Sequence, residues 1–415
     1  MNSSLRIIVT GLIAQHYTLG GVAWDYIQYL IGLKNLGHDV WYVEDSGEWP
    51  YNFDGGTTGN DWLPENCMGN ITYLEKVCDF AGLSGKWAYY FPTKSEWYGL
   101  SDQKRKNLLE TADLLINISG SIDRTSNYNQ IDRRIYIDSD PGFTQIKLKS
   151  EDIEFTRRIL DHNIHFSFGE NLGNDLQIEG LQWYPTRTPV VLSCWDHLKA
   201  NGQKYTTVMN WKSYKSQKFR GKEYGQKDVE LVKFLELPRM RKELNFEVAL
   251  SKTVHKRSWA SNIQNQIEPG AFESPKDMLE KFGWSVVDPH VTCFDLFSYR
   301  DYVENSRAEW SIAKGGYVVT KSGWFSCRSA CYLAAGKPVI VQDTGFEGII
   351  PTGKGVHIFN TMAEIIEAVD QVEANYDHER TAAREIAEEY FSADKVLSNL
   401  IDVTYSKSLK RVLTN

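Results

Sequence analysis

Leu5-Arg6-Ile7-Ile8-Val9-Thr10, closed by Gly11, opens the stretch on which the fold turns. It runs on through Gly20-Gly21 to Gly37-His38-Asp39-Val40-Trp41-Tyr42-Val43-Glu44-Asp45. The first run is short, β-branched and bounded by glycine, the pattern of a buried strand. A polar loop carrying His16 follows. Val22, Tyr26, Ile27, Leu30, Ile31 and Leu33 then recur at helical spacing as far as Leu36. Gly37 falls just past that helix, where a left-handed cap favours a residue without Cβ. Val40 to Val43 reads as a second strand and ends in two carboxylates. A strand, loop, helix and strand in this order pack as a right-handed crossover in a parallel sheet.

A second unit of the same kind lies toward the other end. Tyr317 to Thr320 reads as a strand, Ser322 to Ser326 as a loop, and Cys327 to Ala335 as a helix closed by Gly336. Pro338 to Val341 then forms the next strand. Between the two units, Asp113–Ile118, Arg134–Asp138, Ile164–Phe168 and Thr206–Trp211 are further short apolar runs with strand character. Gln182 to Gln203 carries two prolines and no periodicity, so the linker is placed there. Ala382, Ile386, Tyr390, Val396, Leu400 and Val403 fit a long helix or a kinked pair at the end. The expected fold class is α/β, with two Rossmann-like doubly wound domains.

Length and composition agree with that class. A chain of 415 residues corresponds to two or three domains at about 150 residues each. Hydrophobic residues at 42% and charged residues at 24% suit a soluble globular protein and exclude a disordered or collagen-like one. A net charge of -8 argues against a general nucleic-acid coat. No apolar run is long enough to span a membrane, and the N-terminal run turns polar too soon for a signal peptide. Six cysteines without a CxxC pair give neither a disulfide framework nor a zinc site. Cys327 and Cys331 read as small buried thiols on one helix face. The expected compartment is the cytoplasm.

The charge is unevenly spread. Residues 196–227 hold eight lysines and arginines against Asp196 and Glu223, so this window is +6 and the remainder of the chain is -14. Two readings stand for it: a solvated basic loop, or an anion site at the mouth of the second domain. The second reading makes Lys212, Lys215 and Lys222 contacts to a diphosphate.

Two stretches resemble glycosyltransferases of the GT-B architecture, in which two Rossmann-like domains face a central cleft. Gly20-Gly21, the amphipathic helix and Gly37-His38-Asp39-Val40 are similar in kind and spacing to the retaining family-four enzymes. Ala334-Ala335-Gly336-Lys337-Pro338-Val339-Ile340 is similar to the run after the donor-binding helix of the same enzymes. The motifs cover about a fifth of the chain, and the layout matches along its length. The resemblance implies an N-terminal acceptor domain over 1–195, a C-terminal nucleotide-sugar domain over 205–390, and a helix over 391–415 that crosses back. It also implies a cytoplasmic hexosyltransferase-like transferase that uses a nucleotide-diphosphate sugar such as a UDP-sugar as co-substrate, with no cofactor and no metal. One departure matters. The family carries two glutamates eight positions apart, and by spacing from Pro338 these positions are Gly323 and Cys331. No retaining mechanism is therefore carried over.

The site expectations follow. In Ser322-Gly323-Trp324-Phe325-Ser326-Cys327-Arg328-Ser329, glycine would allow close backbone approach and Ser326 or Ser329 would cap a helix whose free N–H groups face phosphate. Arg328 would add a forked cation. Gly20 and Gly21 would let the first loop meet the same diphosphate. The donor-binding set is thus Gly20, Gly21, Lys212, Lys215, Lys222, Ser322, Gly323, Trp324, Ser326, Arg328 and Ser329. The plain alternatives are a tight turn at Gly20-Gly21 and an ordinary capped helix at 327. His16, Asp25 and Glu170 are the candidate catalytic groups for the acceptor hydroxyl. Asp138, Asp140 and Phe143 would line the acceptor cleft. Asp138-Ser139-Asp140 is not read as a metal site. His162 and His165 lack a third partner at metal spacing. Of the aromatics Trp24, Tyr26, Phe143, Trp183, Tyr184, Trp211 and Trp324, one or two would contact ligand.

The expected function is transfer of a sugar from a nucleotide-diphosphate donor to a hydroxyl of a small molecule, a glycan or, less favoured by the acidic charge, a nucleic-acid base. The alternatives are a non-hydrolysing nucleotide-sugar epimerase and a non-catalytic nucleotide-binding protein.

Overall fold

The computed structural model describes residues 4–50, 66–150, 152–200, 202–251, 263, 266, 267 and 271–406. Two sheets organise the chain. The first contains β1 (Arg6–Thr10), β2 (Asp39–Glu44), β3 (Trp87–Phe91), β4 (Glu96–Gly99), β5 (Leu114–Ile118), β6 (Arg134–Asp138), β7 (Ile164–Ser167) and β8 (Trp183–Pro185). Their order is β4-β3-β2-β1-β5-β6-β7-β8, with every pair parallel except β3 with β4. The second sheet contains β9 (Lys204–Asn210), then β12 (Asn245–Ser251), β13 (Ser285–Val287), β14 (Ala308–Ser311), β15 (Val339–Gln342) and β16 (Val356–Phe359). A small hairpin, β10 (Gln217–Phe219) and β11 (Lys222–Tyr224), stands between the first two of them. This sheet runs β13-β12-β9-β14-β15-β16 and is parallel throughout.

Both sheets start in the middle, wind out to one edge, return and wind to the other. That is the doubly wound order, and its reversal points lie between β1 and β5 and between β9 and β14. Central strands buried on both faces need continuous apolar runs. Ile7, Ile8 and Val9 of β1 are fully buried, as is Leu114 of β5.

The helix α1 (Gly20–Asn35) begins at the glycine pair, which therefore starts the helix and does not form a loop before it. The reason is close packing between the halves. A Cβ on Gly20 would lie 2.0 Å from the Asp295 carbonyl oxygen, and one on Gly21 would lie 2.9 Å from the Tyr299 ring. Trp24 adds to this contact by donating from Nε1 to the Leu296 carbonyl at 2.9 Å, while its ring packs on Trp195 at 4.8 Å. At the far end of α1, Gly32 faces Leu397 and Ala393 of the helix Ala393–Ser406. That helix follows a π-turn over Ala387–Phe391 and lies against the first half. Residues 407–415 of the expected terminal helix lie outside the described residues.

One expected strand is a helix. Tyr317 to Thr320 belongs to the short helix Gly315–Thr320, and the strand of this unit is β14, six residues before Tyr317 at its nearer end. The β-branched Val318-Val319-Thr320 run has strand propensity, yet no place beside the preceding strand is open to it. β9 and β15 already flank β14. Lys321, at φ +48, stops the helix in the left-handed region.

Candidate functional site

In a doubly wound sheet, ligands bind beyond the carboxyl ends of the strands at the reversal point. Here the carboxyl ends of both sheets open onto one cavity of about 340 Å³. From the first half, Gly21, Asp25 and Tyr26 of α1 reach it, with Ser119 after β5, Ser139 after β6 and Phe168 after β7. From the second half come Asn210 at the end of β9, Ser213 just after it, Lys227, Lys314 after β14, and Trp324, Ser326, Cys327 and Arg328.

The second-half wall is cationic. Arg328 donates from Nε to Glu309 at 2.5 Å, from Nη1 to the Val208 carbonyl at 2.6 Å and from Nη2 to Ser311 Oγ. Burial opposes its charge, but the fully buried Glu309 carboxylate outweighs that and keeps the guanidinium ionised. Lys314 pairs with Asp140 at 2.9 Å. Lys227 has no ion pair among the described residues. Burial holds its ammonium far below the usual lysine range, and the charges of Arg328 and Lys314 push it down further. Three basic side chains thus meet on one wall, one of them without an ion pair among the described residues, and such a grouping can attract an anion. The helix Cys327–Ala334 adds its N-terminus, with Ser326, Cys327 and Arg328 on the cavity wall. Trp324 stacks on Tyr317 at 4.2 Å and 24°, giving the wall a flat apolar face.

The first-half wall is different. Asp25 is its carboxyl group, pushed up to about 6 by burial, against the pull of the Cys327 hydrogen bond and the Arg328 charge. Behind it, Glu44 shapes the loop after β1. Its carboxylate accepts from the N–H groups of Ala14 (2.8 Å) and Gln15 (2.6 Å) and from the Tyr42 hydroxyl (2.7 Å). Burial raises Glu44 to about 7.

The remaining expected residues fall in several places. His16 is part-buried outside the cavity wall, and burial lowers it to about 4, so it is neutral at pH 7. Glu170 is tied to Arg187 at 2.5 Å and does not line the cavity. Gly20 and Gly323 serve contacts between the halves. A Cβ on Gly323, at φ +80, would lie 2.7 Å from the Asn171 nitrogen. Ser322 and Ser329 are buried behind the wall, and their hydroxyls lack a hydrogen-bond partner. Lys215 and Lys222 are exposed on and near the hairpin, and Lys212 is likewise not on the wall. Asp138 is buried and braces the turn after β6, accepting from Thr144 (2.7 Å), Gln145 (2.9 Å) and Ser167 (2.9 Å). Asp140 and Phe143 join the two halves beside the cavity. Trp24 and Trp211 are core residues, whereas Tyr26 and Trp324 reach the cavity.

Sequence reasoning missed Lys227 and Lys314. The available signals were a lysine opening the helix Lys227–Leu231 and a lysine before Gly315-Gly316 at a strand end. Among the described residues, no three His, Cys, Asp or Glu side chains gather as a metal-binding group, and no helix is long and apolar enough to cross a membrane.

No family model matches the sequence, and no curated protein matches it. Solved structures do match in shape. An alpha-glucosyltransferase in complex with UDP and a 13-mer DNA superposes with a TM-score of 0.56 at 12% identity, covering 97% of this chain and 100% of that one. Anabaena HepE in complex with UDP-glucose gives 0.56 at 9% identity over the same shares. A glycosyltransferase from Rickettsia africae gives 0.51 at 12% identity, over 98% of this chain and 99% of that one. The fold is the GT-B fold of glycosyltransferases, as the resemblance implied.

Proposed function

We propose that the protein transfers a sugar from a nucleotide-diphosphate donor to an acceptor hydroxyl. The observation that carries this reading is the cavity between two doubly wound sheets, with Lys227, Lys314 and Arg328 on one wall and Asp25 on the other. Breaking the bond between the anomeric carbon and the β-phosphate oxygen places negative charge on the departing diphosphate. The three cations and the helix N-terminus face where that charge develops. The acceptor oxygen forms the new bond to the anomeric carbon, and its proton passes to the Asp25 carboxylate. A carboxyl shifted to about 6 is ionised at neutral pH, yet more basic than an ordinary aspartate. Enclosure of the cavity by both halves keeps water from the donor.

UDP-sugars are the donors favoured, since UDP or UDP-glucose occupies the alpha-glucosyltransferase and HepE structures that share the fold. The cationic wall supplies the charge that a divalent metal ion would otherwise contribute, so turnover is expected to survive chelation by EDTA. Calorimetric titration with UDP and UDP-glucose, followed by product analysis against a panel of hydroxyl acceptors, tests the reading. Binding with product formed only when an acceptor is present supports it. Conversion of the donor alone to its epimer, or binding without turnover across the panel, sinks it.

A further inference from the structure

One carboxylate beside the cavity does not line it, and its partners all lie across the cleft. Asp140 follows β6 in the first half. It accepts hydrogen bonds from Lys314 Nζ at 2.9 Å and from the hydroxyls of Tyr214 and Tyr317, three residues of the second half. The Lys314 ammonium also donates to the Tyr214 hydroxyl at 3.1 Å. It sits among the rings of Tyr214 (4.6 Å), Tyr317 (5.3 Å) and Phe143 (5.4 Å), the last again from the first half. Burial works against the Asp140 charge, but Lys314 and the two hydroxyls hold the carboxyl below its ordinary range. Asp140 is itself fixed, because its N–H donates to Asp138 Oδ1 at 3.0 Å and Asp138 is anchored by Thr144, Gln145 and Ser167.

The backbones are shaped for this contact. A Cβ on Gly316 would lie 2.2 Å from Phe143 Cζ, so the helix Gly315–Thr320 can rest on the Phe143 ring only with glycine there. The other two cavity cations are placed without help from the first half. Arg328 has its carboxylate, Glu309, in its own sheet, and Lys227 makes no ion pair among the described residues, with Glu309 again the carboxylate that acts on it. Lys314 alone among the three has its counter-charge on the opposite half.

We infer that Asp140 is a positioning residue: it clasps the two halves and aims Lys314 at the cavity, so the cation set is complete only in the closed molecule. This rests on the nucleotide-sugar reading. The clasp is formed with no nucleotide present, so it opens for entry as well as for departure, and its loss speeds both.

Stopped-flow fluorescence of UDP release tests this, with Trp324 against Tyr317 as the built-in reporter. The samples are the native chain, Asp140→Asn, and Tyr214→Phe, which keeps the charge and the reporter pair if Asp140→Asn folds poorly. Small-angle scattering of the unliganded samples and circular dichroism accompany the kinetics. Expected are native circular dichroism, UDP release faster by about tenfold in both variants, arrival no slower than native, and a more open particle for Asp140→Asn. UDP bound by the native chain, with release unchanged or slowed in the variants and unaltered scattering, overturns the clasp and leaves the donor reading standing. Slower release would mean that Asp140 only withholds Lys314 from the anion. If the native chain binds no UDP, the donor reading fails, and the coupling to a ligand fails with it even where the variants open.

Discussion

The two walls of the cavity come from sheets of the same winding, yet they carry opposite chemistry. Helix α1 presents Asp25, and the loops after β5 and β6 present Ser119 and Ser139, with the carboxyl raised by burial. The helix start after the β10–β11 hairpin presents Lys227, the loop after β14 presents Lys314, and the helix after Trp324 presents Arg328. Shared topology decides where loops gather. The side chains on them decide what each wall does, and here one wall holds charge while the other handles a proton. Burial sharpens the difference, because it raises the acid and depresses the unpaired lysine.

The largest break in that contrast is expected from Asp25→Asn. Turnover should fall by about 10²–10⁴-fold with donor affinity nearly kept, because the variant removes the proton acceptor and leaves the cationic wall. In the native chain, turnover should decline as the pH falls through about 6, where the folded-state carboxyl takes up its proton and no longer accepts one. A kcat profile without that limb would remove Asp25 from the role. On the other wall, Arg328→Ala should lower stability by about 3–5 kcal/mol, because it strands the buried Glu309 carboxylate. Chemical denaturation measures it, and a loss below about 1 kcal/mol would mean that Glu309 finds another partner.

Lys227→Ala should behave differently. With no ion pair to break, it should leave the melting temperature unchanged or higher while weakening UDP by about 10- to 100-fold, the range for a charge-assisted contact. Calorimetry decides between that outcome and an unchanged affinity, which would move the anion elsewhere. The smallest effect is expected from Lys215→Ala and Lys222→Ala, exposed side chains off the cavity wall. Their screened charges should change UDP affinity by less than about twofold at physiological salt. A tenfold loss would restore the basic window to the donor site.

That window shows how far the sequence reaches. One member of its +6 charge, Lys227, lines the cavity, whereas Lys212, Lys215 and Lys222 do not. Which lysine faces the cavity depends on the hairpin β10–β11, which carries Lys222 out to solvent five residues before Lys227 turns in. Gly20, Gly21 and Gly323 were equally visible as places of close approach, but the approach is of one half to the other, not only to a ligand. Asp25, Trp324, Ser326 and Arg328 were legible because each sits at a helix start or strand-end loop, where local pattern and site coincide. The Tyr317–Thr320 run misled because strand propensity says nothing about whether a place beside the preceding strand is open.

By itself, the sequence determined the two alternating units, the long C-terminal helices and the doubly wound class. Periodicity and glycine caps are short-range properties, satisfied within about 15 residues. Only the tertiary structure decided that Lys227, Lys314 and Arg328 share a wall, that Asp25 faces them, and that Asp140 reaches across to Lys314. Those groups are separated by up to 303 positions along the chain. Their meeting depends on how two sheets pack against each other, and no local pattern encodes that distance.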